Sequence, residues 1–273
     1  DKKNDSAKKY LDSIALVFEK YPEKRKKIDN TLILGRNAFE KTYESITKKN
    51  SKAVLEHINF IKKTLQLAQF SASKHNELVA SLQLANAYNK YEQYEKALEV
   101  IEEAKKIDEN FFNASRFSIE VLEAKIFSTQ NKGNQSKKVL LNAYQKLLEK
   151  QRTLMSLKRL NYRDLKKFNS STFIRNVIQS AQVYEDIYKK TKSKEDLLMA
   201  NNLYFLASDM FAQYYQKGKY NFNLNIFSQE IASGLLLTQL LIDPNDQKKI
   251  KKVINTIENN SSQHLWNIFE VKN

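Results

Sequence analysis

Residues Leu78–Asn110 have the sequence LVASLQLANAYNKYEQYEKALEVIEEAKKIDEN. On both sides of Tyr91–Gln93 the apolar residues recur three and four positions apart, which is the spacing of one face of an α-helix. The stretch Tyr91–Gln93 itself is polar and short, as in the loops that join two antiparallel helices. The segment therefore predicts a helical hairpin.

This hairpin resembles the tetratricopeptide repeat (TPR), whose unit is a helix–turn–helix of about 34 residues. The resemblance is carried by the motif positions Leu84, Ala85, Tyr88, Tyr94, Ala97, Ile101 and Ala104. Glu109 stands where the family usually has proline after the second helix, so this helix is expected to end less sharply. The resemblance implies hairpins that stack into a superhelix and hold another protein.

Two of these positions have a steric explanation that does not depend on the family. Ala85 and Ala97 are predicted to lie where the two helices cross most closely, because a larger side chain there would push the helices apart. Tyr88, Tyr94 and Ile101 are predicted to fill the spaces between the helices. We therefore expect this hairpin to be tightly packed.

Helical periodicity continues through most of the chain. The 273 residues include only 4 Gly and 2 Pro, far fewer than sheets and irregular loops need for their turns. We expect an all-α fold, an α-solenoid of antiparallel helix hairpins that forms a TPR-like superhelix, as a single domain over 1–273. The clearest repeat is 78–110, and degenerate repeats are predicted at about 24–72, 113–150, 171–217 and 223–270.

The resemblance also implies a binding face. In a TPR stack the first helix of each hairpin lines a concave groove, and in the clearest repeat the groove-facing residues would be Val79, Leu82, Asn86, Asn89 and Lys90. Asn86 matches an asparagine with which the family often binds the backbone of an extended peptide, since an amide both donates and accepts hydrogen bonds. Leu82 stands where family members that bind the C-terminal carboxylate of a peptide carry lysine, which disfavours recognition of a peptide's free C-terminus. A face that is merely solvated remains the alternative.

A second resemblance concerns the C-terminal part of the chain. The segments Tyr204–Asp209, Asn225–Ile231 and Ile257–Ser262, which leads to Leu265–Asn267, are similar to the end of the repeat region in bacterial proteins that join TPRs to a CHAT domain. That domain is a caspase-like cysteine peptidase. The resemblance implies a scaffold that regulates such a peptidase domain, fused after residue 273 or held in trans. This chain has no Cys and cannot supply that nucleophile.

The formal net charge of +15 raises the question of nucleic-acid binding. Lysines on solvated helix faces explain this charge without the arginine clusters that a nucleic-acid site would need. One alternative is nevertheless a basic nucleic-acid-binding protein, in which Tyr214, Tyr215, Tyr220 and Phe222 stack on single strands. Another is a peptide-responsive helical-repeat regulator, although the opening helices show no tight helix-turn-helix.

Catalytic, metal and cofactor sites are not expected. His57, His75 and His264 are far apart in sequence and have no Cys partners, whereas a metal site needs several converging ligands. The glycines are isolated, so no phosphate-binding loop is predicted, and no Ser or Thr stands in a recognisable nucleophile motif. These observations favour a protein that is not an enzyme.

The sequence also bears on location. No stretch is long and apolar enough for a membrane span, and Asp1–Asp5 is not followed by the apolar core of a secretory signal. We expect a cytoplasmic protein whose partner is a peptide or a protein segment; the alternative is a protein from which a secretory signal has been removed, since its sequence would start in the same way.

Overall fold

The part of the chain that the structure describes is all-α, which confirms the predicted class. The computed structural model describes residues 51–70, 73–107, 114–148, 157, 160–168, 170–216, 224–243, 245, 246, 248, 250 and 251, and these residues form no strand. The helices are α1 Ser51–Phe70, α2 Lys74–Lys90, α3 Tyr94–Lys106, α4 Ala114–Thr129, α5 Gly133–Leu148, α6 Tyr162–Leu165, α7 Ser171–Thr191, α8 Lys194–Gln216 and α9 Leu224–Ile242. A 3₁₀ turn, Lys166–Phe168, follows α6.

Several predicted features lie outside the described residues. They are the part of the first repeat before residue 51, the segment Ile257–Asn267, His264, and the rings of Tyr215, Tyr220 and Phe222. The chain divides into two compact units, Asp1–Phe111 and Phe112–Asn273. The described helices α1–α3 belong to the first unit and α4–α9 to the second. The single repeat domain over 1–273 stays a prediction.

In the first unit, α2 packs against both α1 and α3. It begins after Ser73, whose hydroxyl accepts a hydrogen bond from the N–H of Asn76 at 3.4 Å, as an N-cap residue does. Its C-terminal end leads into the turn Tyr91–Gln93 and then into α3. The predicted pair of helices is therefore present, with α2 as its first member.

The turn between α2 and α3 has the same hydrogen bonding as the turn between α4 and α5. In the first turn the N–H of Gln93 donates to the carbonyl of Tyr88 at 2.8 Å, and in the second the N–H of Lys132 donates to Phe127 at 2.9 Å. These bonds close the last turn of the first helix in the manner of a Schellman motif. The two hairpins therefore have connecting turns of the same type.

Small buried residues recur at equivalent places around these two turns. Each of the following is at most 1% exposed: Ala85, Ala97 and Ala104 in the first hairpin, and Ala124, Ser136 and Ala143 in the second. The hydroxyl of Ser136 donates to the carbonyl of Ala124 at 2.6 Å, so α5 lies close against the backbone of α4. Small side chains at these positions allow such an approach.

In the second unit, α4 and α7 run parallel. Near their N-terminal ends the Asn176 amide donates to the Ser118 hydroxyl at 2.8 Å, and near their C-terminal ends the ammonium of Lys190 donates to the carbonyl of Thr129 at 3.1 Å. Helix α8 packs between α7 and α9, and Asn201 donates to Thr238 of α9 at 2.8 Å. Helices α4, α7 and α9 therefore point one way, and α5 and α8 point the other.

The core of the second unit is aromatic where α4, α5 and α7 meet. The ring of Phe117 lies 4.9 Å, centroid to centroid, from the rings of both Tyr144 and Phe173, edge-on to the first and stacked on the second. The Tyr144 hydroxyl is buried and donates to Ser180 at 3.2 Å, so its polar end is satisfied. This cluster ties the α4–α5 hairpin to α7.

Helices α8 and α9 are in close contact at Gly234. The ring of Tyr204 lies in the space that a Cβ atom at Gly234 would occupy. A glycine is therefore required on α9 for this ring to pack against its backbone.

Candidate functional site

Helix α2 presents one accessible strip along its length. Its exposed or half-buried members, spaced three and four residues apart, are His75, Val79, Leu82, Gln83, Asn86, Asn89 and Lys90. We call this set the α2 strip. The buried residues of α2 lie on the opposite side of the helix: Leu78, Ala80, Ser81, Leu84, Ala85, Ala87 and Tyr88.

All five residues predicted to face a groove belong to this strip. Asn86 and Lys90 are exposed, and Val79, Leu82 and Asn89 are half-buried. The distance from His75 to Lys90 along the helix is roughly 22 Å, which an extended chain of about seven residues would span. That these residues bind a ligand stays a prediction.

The residues predicted to pack the hairpin lie mostly in the interior. Leu84, Ala85, Tyr88, Ala97, Ile101 and Ala104 are buried, and Tyr94 is half-buried at the first position of α3. Tyr88 is flanked by two cations, since the ammonium groups of Lys62 and Lys96 each lie 5.9 Å from its ring centroid. Its ring is thus held between α1 and α3, on the side away from the strip.

Two amide oxygens at the borders of the strip are buried and receive no hydrogen bond from the described residues. They are Oε1 of Gln83 and Oδ1 of Asn89. A buried acceptor that lacks a donor is costly, on the order of 1–3 kcal/mol. The exposed amide of Asn86 lies between these two positions on the helix. Because both oxygens are buried, a donor from another molecule reaches them only when the Gln83 and Asn89 side chains rotate outward.

At its C-terminal end the strip lies beside a buried histidine. Nδ1 of His57, on α1, is 2.9 Å from the hydroxyl oxygen of Tyr91, and the two groups are hydrogen-bonded. Burial and, to a lesser extent, the nearby positive charge of Lys90 together lower the pKa of His57 to about 4. His57 is therefore neutral at physiological pH, and its pKa depends on the charge at the end of the strip.

The second unit contains a polar cluster that the sequence analysis did not predict. It consists of Glu185 on α7, Tyr204 on α8 and Glu230 on α9. Burial raises the pKa of both carboxyl groups, while Arg175 acts against this at Glu230. Tyr204 shares a hydrogen bond with Glu185, and burial followed by the charge of Glu185 raises the pKa of the Tyr204 hydroxyl.

The two sets of residues that the sequence analysis missed differ in how they could have been found. Gln83 follows from the helical spacing that already selected Asn86 and Asn89, so a complete helical wheel of α2 would have included it. Glu185 and Tyr204 lie on different helices, and the sequence pattern within either helix does not predict their contact. Only the packing of α7 on α8 brings these groups together.

A cavity of about 470 Å³ lies where the α4–α5 turn meets the C-terminal end of α7. Its lining includes Lys132, Lys137, Ile187 and Thr191. Lys137 also forms an ion pair with the buried Asp196 of α8. Part of the positive charge at this cavity is thus already compensated within the protein.

Known proteins offer no further guide to these surfaces. No protein family, curated protein or solved structure matches this chain. Among the described residues no group of His, Asp and Glu side chains is arranged to hold a metal ion. None of the described helices combines the length and apolar character that crossing a membrane requires.

Proposed function

We propose that this protein is an interaction scaffold that holds an extended segment of a partner protein along the α2 strip. The observation that carries this proposal is the exposed amide of Asn86 between the amides of Gln83 and Asn89, whose buried oxygens have no donor in the part of the chain that the structure describes. An extended peptide presents backbone N–H and C=O groups along its whole length. Such a segment can exchange hydrogen bonds with the exposed amide of Asn86, and it can donate to the two oxygens once the Gln83 and Asn89 side chains rotate outward.

The scaffold would be a helical-repeat protein of TPR type, with each unit built from stacked hairpins. Two features of the fold support this part of the proposal. The α2–α3 and α4–α5 hairpins share their turn hydrogen bonds and their small buried residues. Within the second unit the first helices of successive hairpins, α4 and α7, are parallel neighbours, as stacked hairpins require.

A specific form of this function is regulation of a caspase-like CHAT peptidase, either fused after residue 273 or bound in trans. Its support is the sequence resemblance described above. Two of the resembling segments, Tyr204–Asp209 and Asn225–Ile231, lie on α8 and α9, which pack together around Tyr204 and Gly234. A ligand would regulate such a domain only if it bound two arrangements of the helices with different affinity.

The binding function can be tested by selecting peptides from a random displayed library on the wild-type protein. The affinities of the selected peptides are then measured for wild type, Asn86→Ala and Asn202→Ala. Asn202 is an exposed asparagine of α8 and serves as the matched control. We expect Asn86→Ala to weaken binding about tenfold, since it removes two hydrogen bonds worth roughly 0.5–1.5 kcal/mol each. Asn202→Ala should bind like wild type.

Two results would count against this function. One is that no peptide is enriched on the wild-type protein. The other is that the enriched peptides bind Asn86→Ala and wild type equally, which would remove α2 from the binding face. Binding of single-stranded nucleic acid that withstands 0.2 M salt with a clear sequence preference would favour the nucleic-acid alternative instead.

A further inference from the structure

This inference rests on the proposed function. The charge at one end of the α2 strip indicates which kind of peptide segment the strip binds. We propose that the bound segment carries an acidic side chain that pairs with Lys90 and, about four residues away, an apolar side chain that covers Val79 and Leu82. The distance from Leu82 to Lys90 along the helix is roughly 12 Å, which about four residues of extended chain would span.

The first argument is the unpaired charge of Lys90. Lys90 is exposed, and among the described residues its ammonium has no hydrogen bond or ion pair. Lysines on the neighbouring α3 are paired within the helix: Lys105 with Glu102 at 2.7 Å and Lys106 with Glu103 at 2.8 Å. No residue of the α2 strip is acidic. No side chain of the strip supplies an anion to this ammonium, and a carboxylate of a bound segment can do so.

The second argument is the opposite character of the middle of the strip. Val79 and Leu82 are apolar and half-buried, so each keeps part of its side chain in contact with water. Covering that surface is favourable, whereas placing a charge over it is not. The strip is therefore apolar at Val79 and Leu82 and positively charged at Lys90. This difference fixes the orientation in which a segment with one apolar and one acidic side chain binds.

The pKa of His57 is a readout that tests for the acidic side chain and not for peptide binding in general. Among the groups that act on its imidazole are the Tyr91 hydroxyl, through a hydrogen bond, and Lys90, through its charge. A carboxylate placed against Lys90 would offset the effect of the lysine and favour the protonated imidazole. We therefore expect the pKa of His57 to rise from about 4 when an acidic segment binds.

The test uses three pools of acetylated and amidated peptides of the form Leu-x-x-x-Z, in which x is randomised and Z is Glu, Gln or Lys. On wild type we expect the Glu pool to bind about threefold more tightly than the Gln pool, and the Lys pool to bind weakest, as for an exposed ion pair. On Lys90→Glu the order of the Glu and Lys pools should reverse. Lys74→Glu, at the other end of α2, is the matched control and should keep the wild-type order.

The pKa of His57 is followed by NMR titration of the imidazole groups, with and without the Glu pool. His75 is an internal control, because it lies roughly 22 Å from Lys90 along the helix, well beyond the Debye length of about 8 Å at physiological salt. Circular dichroism and urea unfolding show whether Lys90→Glu is folded, and Lys90→Gln provides a second, neutral variant. In Lys90→Gln the preference for Glu over Gln should disappear.

The outcomes separate this inference from the function on which it rests. If the three pools bind equally well and the pKa of His57 does not change, the acidic side chain is excluded, although the scaffold function stands. If no pool binds and peptide display also enriches nothing, both proposals fail. Binding of a second copy of the chain at this strip, abolished in Lys90→Glu while no pool binds, would replace the acidic segment by self-association.

Discussion

At the scale of the residue, His57 couples the stability of the fold to pH. Its pKa is about 4 in the folded protein and near 6.5 without the fold. Between these values the unfolded chain binds more protons than the folded chain, because burial excludes the charged imidazole. The free energy of unfolding therefore falls as the pH drops from 6.5 towards 4.

We predict that His57→Gln removes this part of the pH dependence. Urea unfolding at pH 7 and pH 5 should show a smaller loss of stability in His57→Gln than in wild type, whatever the stability of the variant at pH 7. His75→Gln, at an exposed position, should follow wild type. Equal slopes for wild type and His57→Gln would show that His57 is not held neutral by the fold.

Gly234 is a second residue whose replacement has a clear expected cost. A methyl group there would overlap the ring of Tyr204, so α9 or the ring must shift. We predict that Gly234→Ala lowers the free energy of unfolding by about 1–3 kcal/mol, the usual cost of overpacking, in spite of the better helix propensity of alanine. Urea unfolding measures this change. The neighbouring exposed position is the control, and Ser233→Ala should change stability by less than about 0.5 kcal/mol.

At the scale of the element, three of the described connections between helices contain a non-glycine residue with left-handed backbone: Glu92 (φ 59°), Asn131 (φ 62°) and Lys192 (φ 55°). This conformation costs roughly 1–2 kcal/mol for most residues, while asparagine tolerates it better. We predict that Glu92→Gly raises the free energy of unfolding by about 1 kcal/mol and that Asn131→Gly raises it less. A loss of stability in Glu92→Gly, measured by urea unfolding, would contradict this reasoning.

The helices themselves could be predicted from sequence because their determinants are local. In 78–110 the apolar spacing and the short polar turn are sufficient, and the observed α2 and α3 follow from them. The accessible strip of α2 is equally local, since the same spacing that buries Leu84 and Tyr88 leaves Asn86 accessible. What the strip binds is not encoded in that spacing.

Features made by packing between helices could not be predicted. Tyr204 contacts Gly234 and Glu185 only because α8 lies between α7 and α9, and the spacing within each helix contains no sign of it. The unpartnered oxygens of Gln83 and Asn89 are also products of packing, because burial and the lack of a donor both depend on neighbouring helices. Such features can be recognised only in the three-dimensional structure.

At the scale of the whole molecule, the net charge of +15 opposes compaction through repulsion among like charges. We predict that the thermal midpoint rises when the salt concentration increases from 0.01 M to 0.15 M, as the Debye length falls from about 30 Å to about 8 Å. A triple variant with Gln at the exposed positions Lys138, Lys248 and Lys251 should show a smaller rise. A midpoint that falls with salt would mean that attractive pairs outweigh the repulsion.

The parallel course of α4, α7 and α9 has an electrostatic consequence of its own. At the C-terminal ends of these helices the last backbone carbonyls carry partial negative charge, which the N-terminal ends of α5 and α8 offset only in part. Lys190 binds the last carbonyls of α4, and Lys132 and Lys192 follow the ends of α4 and α7. Some of the lysine excess of this chain is thus balanced by the backbone itself.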